Sequence, residues 1–383
     1  MEDNYDVIAL GELLIDMTDN GRTQSGNTLF EANPGGAPCN VLAMLKKLGR
    51  KVSFIGKVGE DLFGRKLLTV LQETGIGTEN LILDPNARTT MAFVETFADG
   101  DRDFSFFRNP GADMLLSRED IDPELLHHTQ IFHFGTISMT HEKVREATKY
   151  AVEEAKNAGA LISFDPNIRE PLWDSLEDAK EQVCWALSKC DVLKISDNEI
   201  RWLTGEENYS AGVRKIREEY AIPLILVSMG RNGSRAYYRR SNSGGRELVV
   251  EEKAFLQKDT IETTGAGDTF TGCVLDYLLK HPLNSLDEEN LQQMLMFANA
   301  AAAIITTRKG ALRVMPETEE IEALVKERKE GSDEEKNQAV RKKENQNQKC
   351  IKNASDSHTD LRHGSNYRHG IRISSAEMES DKQ

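Results

Sequence analysis

The chain has 383 residues, with 48 basic against 63 acidic side chains and a formal charge of −15. That length allows a large buried core, and α/β folds often reach it as one unit. The acidic balance leaves no extended basic face for a nucleic acid, no apolar run approaches the ~20 residues that span a bilayer, and the five cysteines form no C-x-x-C pair or zinc-ligand spacing.

From the N-terminus the chain enters a strand at Val7-Ile-Ala-Leu10 with no charged-then-apolar leader, so a cytoplasmic protein without a membrane partner is expected. Residues 12–33 are strand-like with no intervening helix, and Gly11-Glu-Leu-Leu-Ile-Asp16 puts a carboxylate near the end of the first strand. In Asn33-Pro-Gly-Gly-Ala-Pro-Cys-Asn-Val41, Pro38 suits a first helical position. Val41, Leu42, Leu45 and Leu48 form a buried face, and Gly49 ends the helix. The Gly35-Gly36 pair lets backbone approach a ligand closely. Asn40, in the first turn, offers donor and acceptor together to vicinal hydroxyls. A carboxylate such as Asp16 accepting two hydroxyls is a common physical solution for binding a carbohydrate, although each motif alone also reads as a turn. Cys39 and Cys273 fall on apolar parts of helices and are expected as buried, reduced thiols.

Val52–Ile55, Ile131–Phe134, Leu161–Phe164, Val192–Ile195 and Leu224–Val227 read as short buried strands, with helices predicted over 142–158, 175–188 and 210–220. Such alternation predicts a mostly parallel sheet covered by helices on both faces. The polar strand ends Asp165, Ser196 and Ser228 then meet at the edge where open α/β sheets bind ligands. Residues 88–108 break the pattern. Thr89–Phe97 alternates in period 2 and turns through 98–101 into Arg102–Phe107, a hairpin of a small projecting sheet that serves as a lid, an oligomer interface or merely a sheet edge. From about 331 to 383 large apolar residues are few and periodicity is lost, which predicts a disordered polar tail.

Late in the chain, Thr264-Gly-Ala-Gly-Asp268 leads into a helix whose apolar positions Phe270, Val274, Leu275 and Leu278 share one face. Three small residues let backbone N–H groups point at an anion with the helix dipole behind them. Asp268, in the first turn, puts a candidate base beside this cradle; the same pattern also fits a tight turn with a capping Asp. No G-x-x-x-x-G-K-[ST] occurs, and the third glycine of a dinucleotide fingerprint is replaced by Phe270. On so acidic a chain an anion site has to be locally positive, with Lys57, Arg108 and Arg169 as candidate sources.

Together these blocks resemble the ribokinase/PfkB-type carbohydrate kinases, and among them most the fructokinases. The likeness spans about residues 5–325 and rests on Gly35–Asn40, Gly56-Lys-Val-Gly-Glu-Asp-Leu-Phe-Gly64, Phe107-Arg-Asn-Pro-Gly-Ala-Asp-Met114, Asp165-Pro-Asn-Ile-Arg169 and Thr264–Asp268. It implies a ribokinase-like three-layer α/β sandwich over 1–330, a mostly parallel central sheet, and a β lid from about 12–33 and 88–110. It implies ATP-dependent phosphorylation of D-fructose to fructose 6-phosphate, with ribose, 2-keto-3-deoxygluconate or a nucleoside as alternative acceptors and a non-catalytic sugar sensor as the alternative class. Carried over residue by residue, Asp268 is the base, while Thr264, Gly265, Ala266 and Gly267 form the anion hole. Asp16, Gly35, Gly36, Asn40, Arg108 and Arg169 meet the sugar, and Ser228, Gly230 and Asn299 meet the nucleotide. Mg²⁺ comes with ATP, positioned through water by Glu199, and a K⁺ site falls at Glu262. The chain departs from the pattern twice: Ser196 stands where the magnesium segment usually begins with Asn, and Glu262 where relatives carry Asp. A homodimer through the lid strands is also implied.

Overall fold

The computed structural model describes residues 4–96, 102–240 and 247–331. The turn expected at 98–101 and the tail from 332 onward lie outside the described residues. In chain order the strands and helices open with β1 (Tyr5–Leu10), β2 (Leu14–Arg22), β3 (Thr28–Gly35), α1 (Ala37–Lys47), β4 (Val52–Gly59), α2 (Leu62–Thr74) and β5 (Gly77–Asp84). Next come β6 (Met91–Thr96), β7 (Arg102–Phe107), α3 (Pro123–His127), β8 (Thr129–Gly135), α4 (Glu142–Asn157), β9 (Leu161–Asp165) and α5 (Leu176–Leu187). The rest are β10 (Val192–Ser196), α6 (Asp197–Thr204), α7 (Tyr209–Glu219), β11 (Leu224–Ser228), β12 (Ser234–Arg239), β13 (Glu247–Glu252), α8 (Ala266–Lys280) and α9 (Glu288–Ile305).

Among the described residues the strands form a nine-stranded sheet, ordered β13-β12-β11-β10-β9-β8-β1-β4-β5, and a four-stranded sheet ordered β3-β2-β6-β7. All large-sheet pairings are parallel except β11–β12 and β12–β13. The chain builds outward from β1 in both directions, which puts a topological switch point, the usual ligand crevice of such sheets, at the C-terminal ends of the central strands.

Strand periodicity sorts the core into two layers. Val7, Ala9, Val192, Leu224 and Leu226 pack with α1, α2, α8 and α9, while Ile8, Leu10, Leu193, Ile195 and Val227 pack with α4 to α7 on the other face. The result is a three-layer α/β sandwich, which belongs to the compact unit Met1–Val325. Cys39 and Cys273 are free and buried within it.

In the small sheet β2 pairs antiparallel with β3 and parallel with β6, and β6 pairs antiparallel with β7. It stands where the two strand-like segments were expected. One face carries an aromatic row: Phe30 and Phe107 flank Phe93 with ring centroids 5.2 and 5.1 Å away, and both flanking rings are largely exposed. No helix among the described residues is long and apolar enough to cross a membrane.

Candidate active site

The first turn of α8 lies in a cavity of about 580 Å³ whose wall includes Asp16, Asn40, Arg169, Lys194, Gly267 and Asp268. Gly265 starts the helix at φ 75°, a left-handed conformation that suits glycine, and a Cβ there would lie 2.6 Å from Ala311 Cβ. No side chain caps this end. The Ala266 N–H donates to the Thr263 carbonyl at 3.3 Å, while Gly267 and Asp268 of the same turn line the cavity, where a helix N-terminus favours an anion.

Asp268 accepts a hydrogen bond from Asn40 Nδ2 at 2.8 Å, which joins the two glycine-led helices at one point. Burial pushes its pKa up, while Asn40, the Lys194 ammonium and the Arg169 guanidinium pull it back toward the ionised form. A raised carboxyl pKa moves the group toward neutrality, the range that suits a general base.

Asp16 stands across the cavity on β2. Its register partner is Asn33 on β3, and a Cβ on Gly35 would meet Asp16 Oδ2 at 2.2 Å. Only glycine at 35 leaves that carboxylate room. Burial raises the Asp16 pKa to about 7; Arg169 opposes the shift, while Glu262 and Asp268 add to it. Gly36, at φ 130°, is pressed against the Glu12 carbonyl, 2.3 Å from where a Cβ would be. Arg169 is steered by Asn167, whose Oδ1 accepts from Nη1 at 2.8 Å.

A second, more apolar cavity of about 500 Å³ adjoins the first and shares Ser228, Gly230 and Gly267 with it. Phe255, Phe270 and Ala302 lie on its wall, and so does Asn299. The Asn299 amide is engaged internally: it accepts from Ser234 Oγ at 2.9 Å and donates to the Glu252 carbonyl at 3.0 Å. Thr264 lines the first cavity with Gly265. Glu262 reaches that cavity too, while its Oε1 accepts from the Gly310 N–H at 2.6 Å.

Some expected residues are placed elsewhere. Arg108 is not on either cavity wall. Its guanidinium is buried, bound to Asp113 Oδ2 and Thr140 Oγ1, each at 2.7 Å, and to the Ile137 carbonyl at 3.0 Å. That role is structural, because a buried guanidinium stays only where its donors are matched. Lys57 is likewise spent on Asp120, 2.6 Å away, and supplies no charge to the cavity. Glu199 closes a capping box on α6, accepting from Ser196 N at 2.8 Å and Ser196 Oγ at 2.7 Å, and takes the Ile168 N–H at 3.0 Å. Oε2 takes both Ser196 donors, and Oε1 takes the Ile168 N–H with a lone pair left for a water. Among the described residues no group of three or more His, Cys, Asp or Glu is placed to hold a metal. This donor set suits a cation that arrives on nucleotide phosphates and keeps its water.

Two residues enter that the motifs did not single out. Lys194, mid-strand in β10, is buried and pairs with Asp165 at 2.9 Å. It supplies the cavity's positive charge together with Arg169. Glu12 is buried at the start of α1 and accepts from the Ala37 N–H at 2.9 Å. Its pKa is raised to about 7, chiefly by burial.

The model of the pfkB family of carbohydrate kinases matches residues 4–318. Fructokinase-1 of Zea mays is 39% identical over 324 residues, covering 83% of this chain and 97% of that one. The solved fructokinase of Xylella fastidiosa with bound ATP superposes with a TM-score of 0.76 at 30% identity, covering 86% of this chain and all (100%) of that one. The fructokinase of Vibrio cholerae O395 in its fructose-, ADP- and calcium-bound form gives a TM-score of 0.72 at 29% identity, covering 84% and 99%. The chain therefore belongs to the pfkB carbohydrate kinase family and is an ATP-dependent sugar kinase.

Proposed function

We propose that the chain transfers the γ-phosphoryl group of ATP to D-fructose, giving fructose 6-phosphate and ADP. The observation that carries this reading is the Asp268 carboxylate, held by Asn40 in the first turn of α8 and facing the cavity that Asp16 lines. Asp268 takes the proton of the attacking hydroxyl. The amides of residues 265–268 receive the phosphoryl oxygens as negative charge spreads over them. Asp16, Asn40 and the backbone at Gly35 and Gly36 orient the sugar, and Arg169 faces both sugar and phosphate. The adjoining apolar cavity, with Ser228, Gly230 and Asn299, takes the adenosine end. Mg²⁺ enters as part of the MgATP substrate and screens phosphate charge, with Glu199 acting on it only through water.

Fructose is favoured because the named relatives are fructokinases and one was solved with fructose and ADP bound. ADP release measured with MgATP over a panel of fructose, ribose, 2-keto-3-deoxygluconate and a nucleoside tests this. The largest kcat/KM is expected for fructose. A larger value for another acceptor replaces the substrate, and no release with any acceptor turns the chain into a sugar-binding sensor. Running the panel with and without K⁺ reads the cation site proposed at Glu262.

The row Phe30, Phe93 and Phe107, with its two outer rings exposed, is the proposed contact between two copies. Light scattering should give a dimer for the wild type and a monomer for Phe107→Asp. A monomeric wild type discards the proposal.

A further inference from the structure

Two of the sequence blocks, residues 56–64 and 107–114, take no direct part in the chemistry proposed above, yet they meet at one place. They close around the two points where the β6–β7 pair joins the rest of the chain: Thr89-Thr90 on the way in and Arg108 on the way out. On the entry side Asp61 caps α2 through the Gly64 N–H and also takes the Thr89 N–H and the Thr89 hydroxyl, each at 2.8 Å. That hydroxyl in turn accepts from the Gly59 N–H at 3.1 Å. On the exit side Arg108 Nε pairs with Asp113 Oδ2 at 2.7 Å, and Asp113 Oδ1 accepts from Thr90 Oγ1 at 2.5 Å. Asp113 therefore ties the exit to the entry. A parallel bridge between Arg88 and Gly111, with the Ala112 N–H on the Arg88 carbonyl at 2.8 Å, adds a second tie. A Cβ on Gly111 would overlap Thr90 Oγ1, so this knot admits only glycine there.

The other donors of Arg108 reach toward the larger cavity. Nη1 and Nη2 hold Thr140 Oγ1 and the Ile137 carbonyl, on the turn Ile137–Met139 that follows β8. Ile137 lines the cavity that Asp16 and Asp268 share, and so does Phe106, two residues before Arg108. Phe107 belongs to the aromatic row of the small sheet, and strand alternation turns its neighbour Phe106 to the other side. One guanidinium thus spans from the end of the strand that carries Phe106 to the backbone of Ile137. The Arg108 and Asp113 side chains are 4% and 3% exposed. Such a buried pair rarely stabilises a fold more than apolar residues of the same shape would, whereas its planar fork fixes the relative position of what it joins.

We propose that Arg108 and Asp113 are positioning residues of the acceptor site. Their buried pair fixes Phe106 and Ile137 against each other where the two sheets join, and so shapes the wall that seats the sugar and keeps water from the place of its hydroxyl. This rests on the reading of that cavity as the sugar site. With the wall displaced, water takes the hydroxyl's place. Its oxygen bonds to the γ-phosphorus as the bond from phosphorus to the β,γ-bridging oxygen breaks, and its proton passes to Asp268. ATP is then converted to ADP and inorganic phosphate with no sugar phosphate formed. The adjoining apolar cavity has neither Phe106 nor Ile137 on its wall, so nucleotide binding is left as it was.

The test is Arg108→Met in the full chain, with fold checked by circular dichroism. Three quantities are read: kcat/KM for fructose, KM for MgATP, and the ratio of ATP consumed to fructose 6-phosphate formed. Misplacing a group that orients substrate by about 1 Å costs on the order of 10²-fold. A loss of that order in kcat/KM for fructose is expected, with KM for MgATP unchanged and more than one ATP consumed per sugar phosphate. Arg108→Lys, still able to pair with Asp113, should recover part of the loss. A folded Arg108→Met whose kcat/KM for fructose stays within about threefold of wild type overturns the proposal. So does a loss shared equally between fructose and MgATP at one ATP per sugar phosphate, which would mean that the pair only holds the fold together. Removing one partner of a buried ion pair can prevent folding. In that case Thr140→Val, which takes one acceptor from the guanidinium and leaves the pair in place, decides: fructose KM rises with MgATP KM unchanged, or the proposal falls. Failure of the underlying reading shows elsewhere, because Asp16→Asn would then keep its fructose KM or the wild type would release no ADP with fructose.

Discussion

Helix α1 starts behind Gly36 at φ 130° and α8 behind Gly265 at φ 75°, and neither has a side-chain cap. The two helices lie side by side, with a Cβ on Gly272 falling only 2.7 Å from Met44 Cβ, and they meet functionally where Asn40 donates to Asp268. Their N-terminal amides are satisfied differently. At α1 the chain supplies its own carboxyl: Glu12 takes the Ala37 N–H. At α8 the first turn opens on the cavity, with Lys194 against it and Asp268 beside it. The same backbone device closes on an internal acid in one helix and meets the cavity in the other. On the function proposed above, the filled end anchors the sugar wall and the open end carries the chemistry.

Asp268→Asn is the substitution with the largest expected effect on this contrast. Asn can still accept from Asn40, so the junction of the two helices and fructose binding should persist. Proton removal is lost, and with it about 10²–10⁴-fold in kcat. In the wild type, kcat should climb with pH as the Asp268 carboxyl, held above its usual range by burial, gives up its proton. The variant should lack that limb. Steady-state kinetics from pH 5 to 9 read both, and near-normal turnover in the variant would leave the open helix end without its base.

Much of this was legible in the sequence where physics acts locally. The runs that became β1, β4 and β8 to β11 are short, apolar and bounded by polar residues, because parallel strands are buried on both faces. β5, β12 and β13 are not in that reading: they lie at or next to the sheet edges, where strands such as Ser234–Arg239, though largely buried, mix charge with aromatics. The anion end of α8 is legible because its parts are contiguous from Gly265 to Asp268. The Lys194–Asp165 pair is not, because it depends on two strands lying next to each other in register. A signal was present even so. Phe132-His-Phe134, Ile162-Ser-Phe164 and Leu193-Lys-Ile195 each interrupt an apolar strand with one polar residue, and all three flanking pairs pack on the same face. Three such interruptions on neighbouring strands mark a polar stripe beneath α1 and α8. Arg108 shows the opposite limit. Its sequence neighbours point to the site, yet nothing in them says that Asp113, five residues on, neutralises the guanidinium before a ligand can.

The filled end of α1 yields a smaller prediction, in stability instead of rate. Burial raises the Glu12 pKa to about 7 from an ordinary 4.5, even though the backbone N–H groups of Glu12 and Ala37 favour the charged form. Between those two values the folded chain binds a proton that the unfolded chain has released. The linkage sign follows: this contribution is complete below about pH 4.5 and fades as pH rises through about 7. Asp16, also raised to about 7, acts in the same direction. The Tm of the ligand-free protein should therefore fall between pH 5 and 8, and Glu12→Gln, neutral throughout and still able to accept from Ala37, should flatten part of that slope. Thermal melts of both proteins across this range decide the matter. An unchanged slope would mean that Glu12 is charged throughout, and that α1, like α8, opens on a true anion.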